Sequence, residues 1–458
     1  MVFSSLIFLF RFLPLTLLAF FLAPRSMRNG VLLAASLVFY GWGEPKYILI
    51  MLLSICIDYT ASNGIERHRG SRMRMRAFLM LSVVGNLGLL MGFKYANFMI
   101  ENFNILTGQA IAPLAVTLPL GISFYTFQTM SYSIDVYRGH TRSERNLVDF
   151  GAYVCLFPQL IAGPIVKYVD VQRELKNLRI DPSRIEEGIR QFVLGLACKV
   201  LLANNAGLLW QDVQDRGFLQ ISMPMAWFGI LAFAFQIYFD FSGYSLMAIG
   251  LGKILGFEFP RNFDFPYASR SITEFWRRWH MTLSAWFREY VYIPLGGNRR
   301  GPARQLVNLV IVWLLTGFWH GASWNFILWG LWFAVFLVLE KAFLLESLKR
   351  HPFWSHAYTG LVVLFGWVIF AIPDLPSVGV YLSRMFSLTF SGDILYVLRN
   401  YGVTLLASVL FSLPVMRRVQ TFLAEKKTVS VILLALVFLL CVAYLVDASF
   451  NPFLYFRF

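Results

Sequence analysis

The chain has 458 residues, of which 58% are hydrophobic, 17% aromatic and only 14% charged, with a mean hydropathy of +0.61. A soluble domain of this length could not cover so much apolar surface, so the composition points to an all-α polytopic membrane protein. The formal charge of +15 is accounted for by basic cytoplasmic loops facing anionic lipid, and nucleic-acid binding is not expected.

The first apolar run, Leu6 to Leu22, carries Arg11 and no small-residue cleavage site, so it reads as a retained span and not a signal peptide. Further runs able to span lie near 30–42, 47–61, 77–98, 111–136, 150–166, 190–210, 224–254, 306–346 (long enough for two), 357–373, 400–415 and 428–447. A spanning helix needs ~20 residues, so the short runs at 30–42, 150–166 and 400–415 extend into their flanks or are re-entrant. In FPQLIAGPIVKY the Gly163-Pro164 pair breaks the helix, which fits re-entry. The expectation is about 11 transmembrane helices in one membrane domain, 1–458, with 261–305 as an interfacial or re-entrant segment on the cytoplasmic side.

Orientation follows from the basic residues. The loop IERHRGSRMRMR holds Arg67, Arg69, Arg72, Arg74 and Arg76 and is expected in the cytoplasm. Three spans precede it, which puts the N-terminus outside, and continuing the count places the other basic loops inside and the closing NPFLYFRF outside. The four cysteines, Cys56, Cys155, Cys198 and Cys441, stand singly in apolar runs with neither metal spacing nor a disulfide framework, so they read as buried hydrophobes and no metal site is expected.

Polar groups inside apolar runs are costly and mark sites worth weighing. In QIYFDFSGYS these are Gln236, Asp240, Ser242 and Tyr244. Asp240 could orient an imidazole or line a tunnel; equally it could tie helices together through backbone N–H groups. Ser123, Gln128 and Asp135 carry no distinct signal.

The segment RNFDFPYASRSITEFWRRWHMTLSAWFREYVYIPLGGNRRGPAR, starting at Arg261, holds eight arginines against Asp264, Glu274 and Glu289. Ser271 followed by Glu274 is a capping-box pattern. Beyond it Ile272, Phe275, Trp276, Trp279, Leu283, Trp286 and Phe287 fall on one helical face, with Arg277, Arg278 and Arg288 on the other. His280 sits at the edge of the apolar face and points toward the protein body, where an interfacial packing histidine is the plainer reading. The LGGNRRGP turn, with Asn298 and Arg299, could expose backbone N–H groups to an anion, although an ordinary turn explains it as well.

In LLTGFWHGASWNFILWG, His320 lies at membrane depth between Gly317 and Gly321. The glycines are expected to make the backbone pliable around a substrate-lined or watered pocket. A lone imidazole there suits proton transfer: it would accept a hydroxyl proton while the oxygen attacks an acyl carbonyl. No serine or cysteine stands in a nucleophile motif, so direct transfer is simpler than a covalent intermediate.

The blocks FPQLIAGPI, YFDFSGYSLMAIGLGKILGFEFPRNFDFPY, SITEFWRRWHMTLSAWFREYVYIPLGGNR and GFWHGASWNFILWG strongly resemble the membrane-bound O-acyltransferase superfamily, in particular its bacterial branch of alginate O-acetyltransferases and teichoic-acid D-alanyl transfer proteins. The resemblance covers essentially the whole chain, including the opening MVFSSLIFLF and the closing NPFLYFRF. It implies a helical fold pierced by a central tunnel, with His320 as the catalytic histidine and His280 as a second motif histidine near the cytoplasmic funnel. Eukaryotic relatives often carry asparagine where this chain has the WRRWH histidine, which sides it with the bacterial polysaccharide branch.

Further expectations follow from that resemblance. The expected donor, acetyl-CoA, would enter from the cytoplasm near Arg277, Arg278, Asn298 and Arg299. Gln236, Asp240, Ser242, Tyr244, Trp319 and Asn325 are the candidates for lining the tunnel. The acyl group would leave on the outer face of the bacterial inner membrane, to a polysaccharide or a periplasmic acyltransferase partner. No bound cofactor is expected. D-alanyl transfer from a carrier protein and a transporter without chemistry are the alternatives.

Overall fold

The computed structural model describes residues 1–447, 450–452 and 454. They form helices joined by turns and irregular segments, with no strand among the described residues. Of the closing NPFLYFRF, only Asn451, Pro452 and Leu454 are among them.

Among the described residues eight helices are long and apolar enough to cross a membrane: Pro45–Arg67, Arg72–Thr107, Pro182–Arg216, Met223–Ile254, Trp324–Arg350, Pro352–Ala371, Asp393–Phe411 and Lys427–Asp447. A shorter apolar helix runs over Phe8–Leu22. The 400–415 run is extended into its N-terminal flank, and the 306–346 run divides into two helices, as its length requires. The expected span over 111–136 does not form as one helix. Pro113 and Pro119 lack the N–H a helix needs, and residues 108–119 are non-helical before the Ile122–Arg138 helix begins. Two side-chain amides hold that segment as a neighbouring strand would. Asn97 exchanges bonds of 2.7 and 3.1 Å with the N–H and C=O of Leu114, and Asn104 bonds of 3.0 and 2.8 Å with those of Ile111. The 150–166 run breaks into the short helices Leu147–Cys155 and Phe157–Leu160.

The chain divides into two compact units, Met1–Phe192 with Met247–Pro260, and Val193–Leu246 with Arg261–Phe458. In the first, a fully buried carboxylate joins three helices. Asp58, on Ile48–Arg67, accepts from Ser82 (2.5 Å) and Asn86 (2.5 Å) on Arg72–Leu90 and from Ser133 (2.7 Å) on Ile122–Arg138. Asn86 in turn accepts from Ser54 at 2.8 Å and Thr129 at 3.2 Å, so the five partners form one connected network. Where water is excluded, such a network fixes helix register because every slip strands a polar group.

The second unit is built on aromatic packing. Rings from Met223–Ile254, Ile272–Arg278, Trp324–Leu339 and Pro352–Ala371 meet in one core, with Trp276, Trp329 and Phe333 within 5.4 Å of one another by ring centroid. Tyr267 braces it by donating to the Ala234 carbonyl at 2.5 Å and accepting from Trp367 Nε1 at 3.1 Å.

Replacing Asp58 with alanine leaves Ser82, Asn86 and Ser133 without their shared acceptor. The expected cost is about 2–3 kcal/mol, read as a lower thermal midpoint in detergent, with Asp58→Asn losing less because one acceptor oxygen remains. An Asp58→Ala protein as heat-stable as the parent would refute this role.

Candidate active site

The Pro302–His320 helix begins where Gly301, at φ +86°, turns the chain and Pro302 takes the first helical position. It ends at His320, because Gly321 is extended. The glycines around the histidine serve close packing. A Cβ on Gly317 would lie 2.2 Å from the Phe326 carbonyl oxygen, and one on Gly330 would lie 2.4 Å from that of Trp313. At Gly321 a Cβ would meet the Phe326 ring at 2.2 Å. The two helices therefore touch backbone to backbone, and His320 is delivered at the end of the contact.

There the imidazole, 5% exposed, is enclosed by rings. Trp329 and Phe370 present edges at centroid distances of 5.0 and 5.4 Å, and Trp319 packs at 5.1 Å. Asn325 lines this wall indirectly: its amide donates to the carbonyls of Ile369 and Phe370 at 3.2 and 3.3 Å, tying down the Phe370 that contacts His320.

His280 reaches the same place from the arginine-rich segment. Ser271 accepts from Glu274 N–H at 3.0 Å, the cap read from sequence, while Glu274 reaches back to the Arg270 N–H at 2.8 Å. Ile272, Phe275, Trp276, Trp279, Leu283, Trp286 and Phe287 are buried, and Arg277 and Arg288 are exposed. The helix is not continuous, however. It stops at Arg278 and restarts at Met281, and His280 between them has left-handed backbone at φ +42°, ψ +54°. That conformation costs an L-residue about 1–2 kcal/mol, so neighbouring contacts must hold it.

Asn262 supplies contacts at the turn and Glu340 anchors the helix before it; sequence reasoning singled out neither. Asn262, 1% exposed, accepts the Met281 N–H through its backbone carbonyl at 2.9 Å. Its side-chain oxygen meets Thr282 N–H at 3.3 Å, Thr282 Oγ1 at 2.9 Å and His280 Nδ1 at 3.1 Å. Glu340, fully buried, caps the start of the Ile272–Arg278 helix, accepting from Ile272 N–H (2.5 Å), Thr273 N–H (2.8 Å) and Thr273 Oγ1 (2.6 Å). A carboxylate at a helix N-terminus satisfies donors the helix cannot and meets the positive end of its dipole. Because Glu340 directly follows the Trp324–Leu339 helix, it fastens the His280 segment to the helix packed against His320's own. An acid in a long apolar run was the available signal.

Trp319 packs against both histidines, 6.1 Å from the His280 ring and 5.1 Å from that of His320. Burial, and after it the nearby His320, holds the His280 pKa well below the ordinary histidine value, so His280 is neutral at physiological pH.

The Met223–Ile254 helix meets His280 through a different face from the one singled out. Phe241 packs edge-on against the imidazole at 4.6 Å, and Ser245, one turn on, accepts from the Asn262 amide at 3.1 Å. Gln236, Asp240 and Tyr244 share another stripe. There Asp240 is paired with buried Lys199 at 2.7 Å and accepts the Leu454 N–H at 2.8 Å, so its carboxylate ties elements together and does not orient an imidazole. Lys199 also donates to the Pro452 carbonyl. Gln236 lies against Gly207, and Ser242 and Tyr244 are buried.

Of the donor-binding candidates, Arg277 is exposed, while Arg278 is held by Glu274 at 2.6 Å. Asn298 and Arg299 are exposed on a turn that is closed from within: the N–H groups of Gly296 and Gly297 bond the carbonyls of Ile293 and Tyr292, and Asn308 holds the carbonyls of Leu295 and Gly297. Those two amides are spent on the turn and do not form an anion nest.

A paired imidazole site of this kind, on an all-helical chain rich in spans, can be set beside known proteins. The family model of MBOAT, the membrane-bound O-acyltransferase family, matches residues 137–380. The chain belongs to that family. It is 43% identical over 397 residues to a probable alginate O-acetylase of Azotobacter vinelandii, covering 84% of this chain and 78% of the relative. It is 34% identical to a peptidoglycan O-acetyltransferase of Helicobacter pylori, over 82% and 78% of the two chains. A teichoic acid D-alanyltransferase of Streptococcus thermophilus is 29% identical over 49% of this chain and 57% of its own length. The protein is thus a multi-pass membrane O-acyltransferase, and the matched region contains both histidines, Asn262 and Glu340.

Adding a methyl group at Gly317 must push the two helices apart and displace His320. Gly317→Ala is expected to cost about 1–3 kcal/mol in stability and to lower acyl transfer, whereas Gly360→Ala, exposed on the Pro352–Ala371 helix with open space around it, is neutral or slightly stabilising. Equal behaviour of the two variants would show that the close approach does not matter.

The neutral His280 also predicts a pH dependence. Below its ordinary pKa of about 6.5 the unfolded chain takes up a proton that the fold resists, so this residue's contribution falls as pH drops, at up to about 1.4 kcal/mol per pH unit. Above about 6.5 its contribution is flat. The stability of His280→Gln should therefore lack that part of the acid slope, as measured by thermal melts between pH 5 and 8; identical slopes would count against the buried neutral ring.

Proposed function

We propose that this O-acyltransferase moves an acetyl group from a cytoplasmic donor, acetyl-CoA, to an extracytoplasmic polysaccharide of the alginate kind, directly or through a periplasmic acyltransferase, with His320 as general base. The observation that carries the reading is the imidazole pair: two buried histidines that both contact Trp319 in a shell of rings, in a chain 43% identical to a probable alginate O-acetylase.

The chemistry needs little more. A neutral His320 accepts the proton of the acceptor's hydroxyl as its oxygen attacks the thioester carbonyl. The resulting C–O bond replaces the C–S bond, and the leaving thiolate takes the proton back from the imidazolium. Enclosure by Trp319, Trp329 and Phe370 excludes water that would otherwise hydrolyse the thioester. The arginines of the 261–305 segment, Arg277 foremost, attract the phosphates of the donor. By the distribution of basic loops both termini face outside the bacterial inner membrane.

The reading is tested on purified protein in nanodiscs with radiolabelled acetyl-CoA, following CoA release and label transfer. Wild type is expected to turn over, and His320→Ala to lose on the order of 10²–10⁴-fold in rate while remaining folded. Retained activity in His320→Ala would sink the general-base role. Intact acetyl-CoA with the wild type, alongside turnover of a carrier-bound acyl group, would move the protein to the D-alanyl kind of chemistry.

A further inference from the structure

Asn262 contacts His280 in more ways than a packing residue needs. It binds the backbone on the far side of the left-handed turn, the next side chain but one, and the imidazole itself. The orientation of its amide follows from chemistry. The Thr282 backbone N–H can only donate, so the group facing it must be the oxygen; turning the amide over would set NH₂ against N–H. With Oδ1 placed there, the amide nitrogen points to Ser245 Oγ at 3.1 Å, which can accept. The ring nitrogen 3.1 Å from Oδ1 is His280 Nδ1, and opposite an acceptor it must carry a hydrogen.

We propose that Asn262 is a positioning residue for acyl transfer: it locks His280 in the Nδ1–H tautomer, making Nε2 the basic atom of the ring beside Trp319 and His320. The inference rests on the acyl-transfer reading of the same two histidines. An unconstrained neutral imidazole in water favours the opposite tautomer, with the hydrogen on Nε2. Without Asn262 the ring would thus present a donor where the site now has a base. The left-handed backbone serves the same end. It turns the chain between two short helices so that His280 faces Phe241 and Trp319, and the Asn262 carbonyl and side chain hold the two N–H groups that follow the turn. The backbone geometry and the ring's proton are set by one residue.

The test reads the tautomer and the rate separately. The chain has six histidines, so ¹⁵N-histidine-labelled protein in nanodiscs gives a tractable solid-state NMR spectrum, with His280 assigned by its loss in His280→Gln. Wild type is expected to show Nδ1 protonated and Nε2 bare. Asn262→Ala should move His280 toward Nε2–H and lower kcat for CoA release about ten- to hundredfold, as removal of an orienting partner commonly does, with KM for acetyl-CoA little changed. Asn262→Asp keeps an acceptor oxygen, so it should retain the Nδ1–H signal and recover part of the rate.

An Nε2–H ring in the wild type overturns the proposal, and so does an Nδ1–H ring that persists in Asn262→Ala. A tautomer change with unchanged kcat overturns the positioning role. If Asn262→Ala does not fold, the wild-type and Asn262→Asp spectra still decide. Should the wild type turn over no acyl donor, the acyl-transfer reading fails by that result alone, while the spectra report on Asn262 independently.

Discussion

The contact between Gly317 and the Phe326 carbonyl governs the second unit. With no Cβ on Gly317 or Gly330, the Pro302–His320 and Trp324–Leu339 helices come together at backbone distance, so that one helix's carbonyls lie over the other's glycines. Lipid gives helices little hydrophobic reason to associate; close packing between small residues is what remains. The consequences run outward from there. His320 ends the first helix at the edge of this contact, Trp329 and Phe333 of the second helix build the aromatic wall, and Glu340, next after it, caps the helix leading to His280. A shift at Gly317 would move both histidines relative to the rings that enclose them.

Three acidic residues in the apolar runs share one pattern. Asp58, Asp240 and Glu340 are each buried, and each carboxylate collects donors from elements far away in sequence. A charge that cannot reach water is tolerable only when its lone pairs are met, and when they are met it becomes a register pin, since partner groups would be stranded by any slip. Asp240 and its Lys199 belong to this class, which is why the stripe holding Gln236 and Tyr244 looks like a site in sequence and is a structural seam. The histidines differ in kind: they are buried among aromatic rings, where an imidazole keeps proton chemistry available.

Much of this was legible in the sequence, for identifiable reasons. Hydrophobic runs report helices because the bilayer imposes length, and the exception at 111–136 carries its own warning in Pro113 and Pro119. The cap at Ser271 and the buried face from Ile272 to Phe287 follow from local pattern, and that pattern survives the break at His280. The break itself was not legible. Nothing in WRRWHMTL forbids continuous helix, and tertiary contacts, those from Asn262 foremost, make the left-handed turn affordable. The glycines beside His320 show a different limit: sequence reveals a missing side chain but not the neighbour that fills its space. Asn262 itself stands in FPRNFDFPY, yet its role depends on proximity to Thr282 and Ser245, which no local pattern encodes.

The choice of an amide at position 262 has a consequence for the charge of the pair. A carboxylate there would also accept from Nδ1–H, but it would draw the ring toward the imidazolium, as carboxylate partners of histidine generally do. The nearby His320 would then face a positive charge and become a poorer base. Asn262 accepts the same hydrogen without adding charge, so orientation and neutrality are both served. Burial and the second imidazole oppose protonation of His280 from the other side. In the mechanism proposed above the proton goes to His320, and the surroundings of His280 suit it to the neutral part.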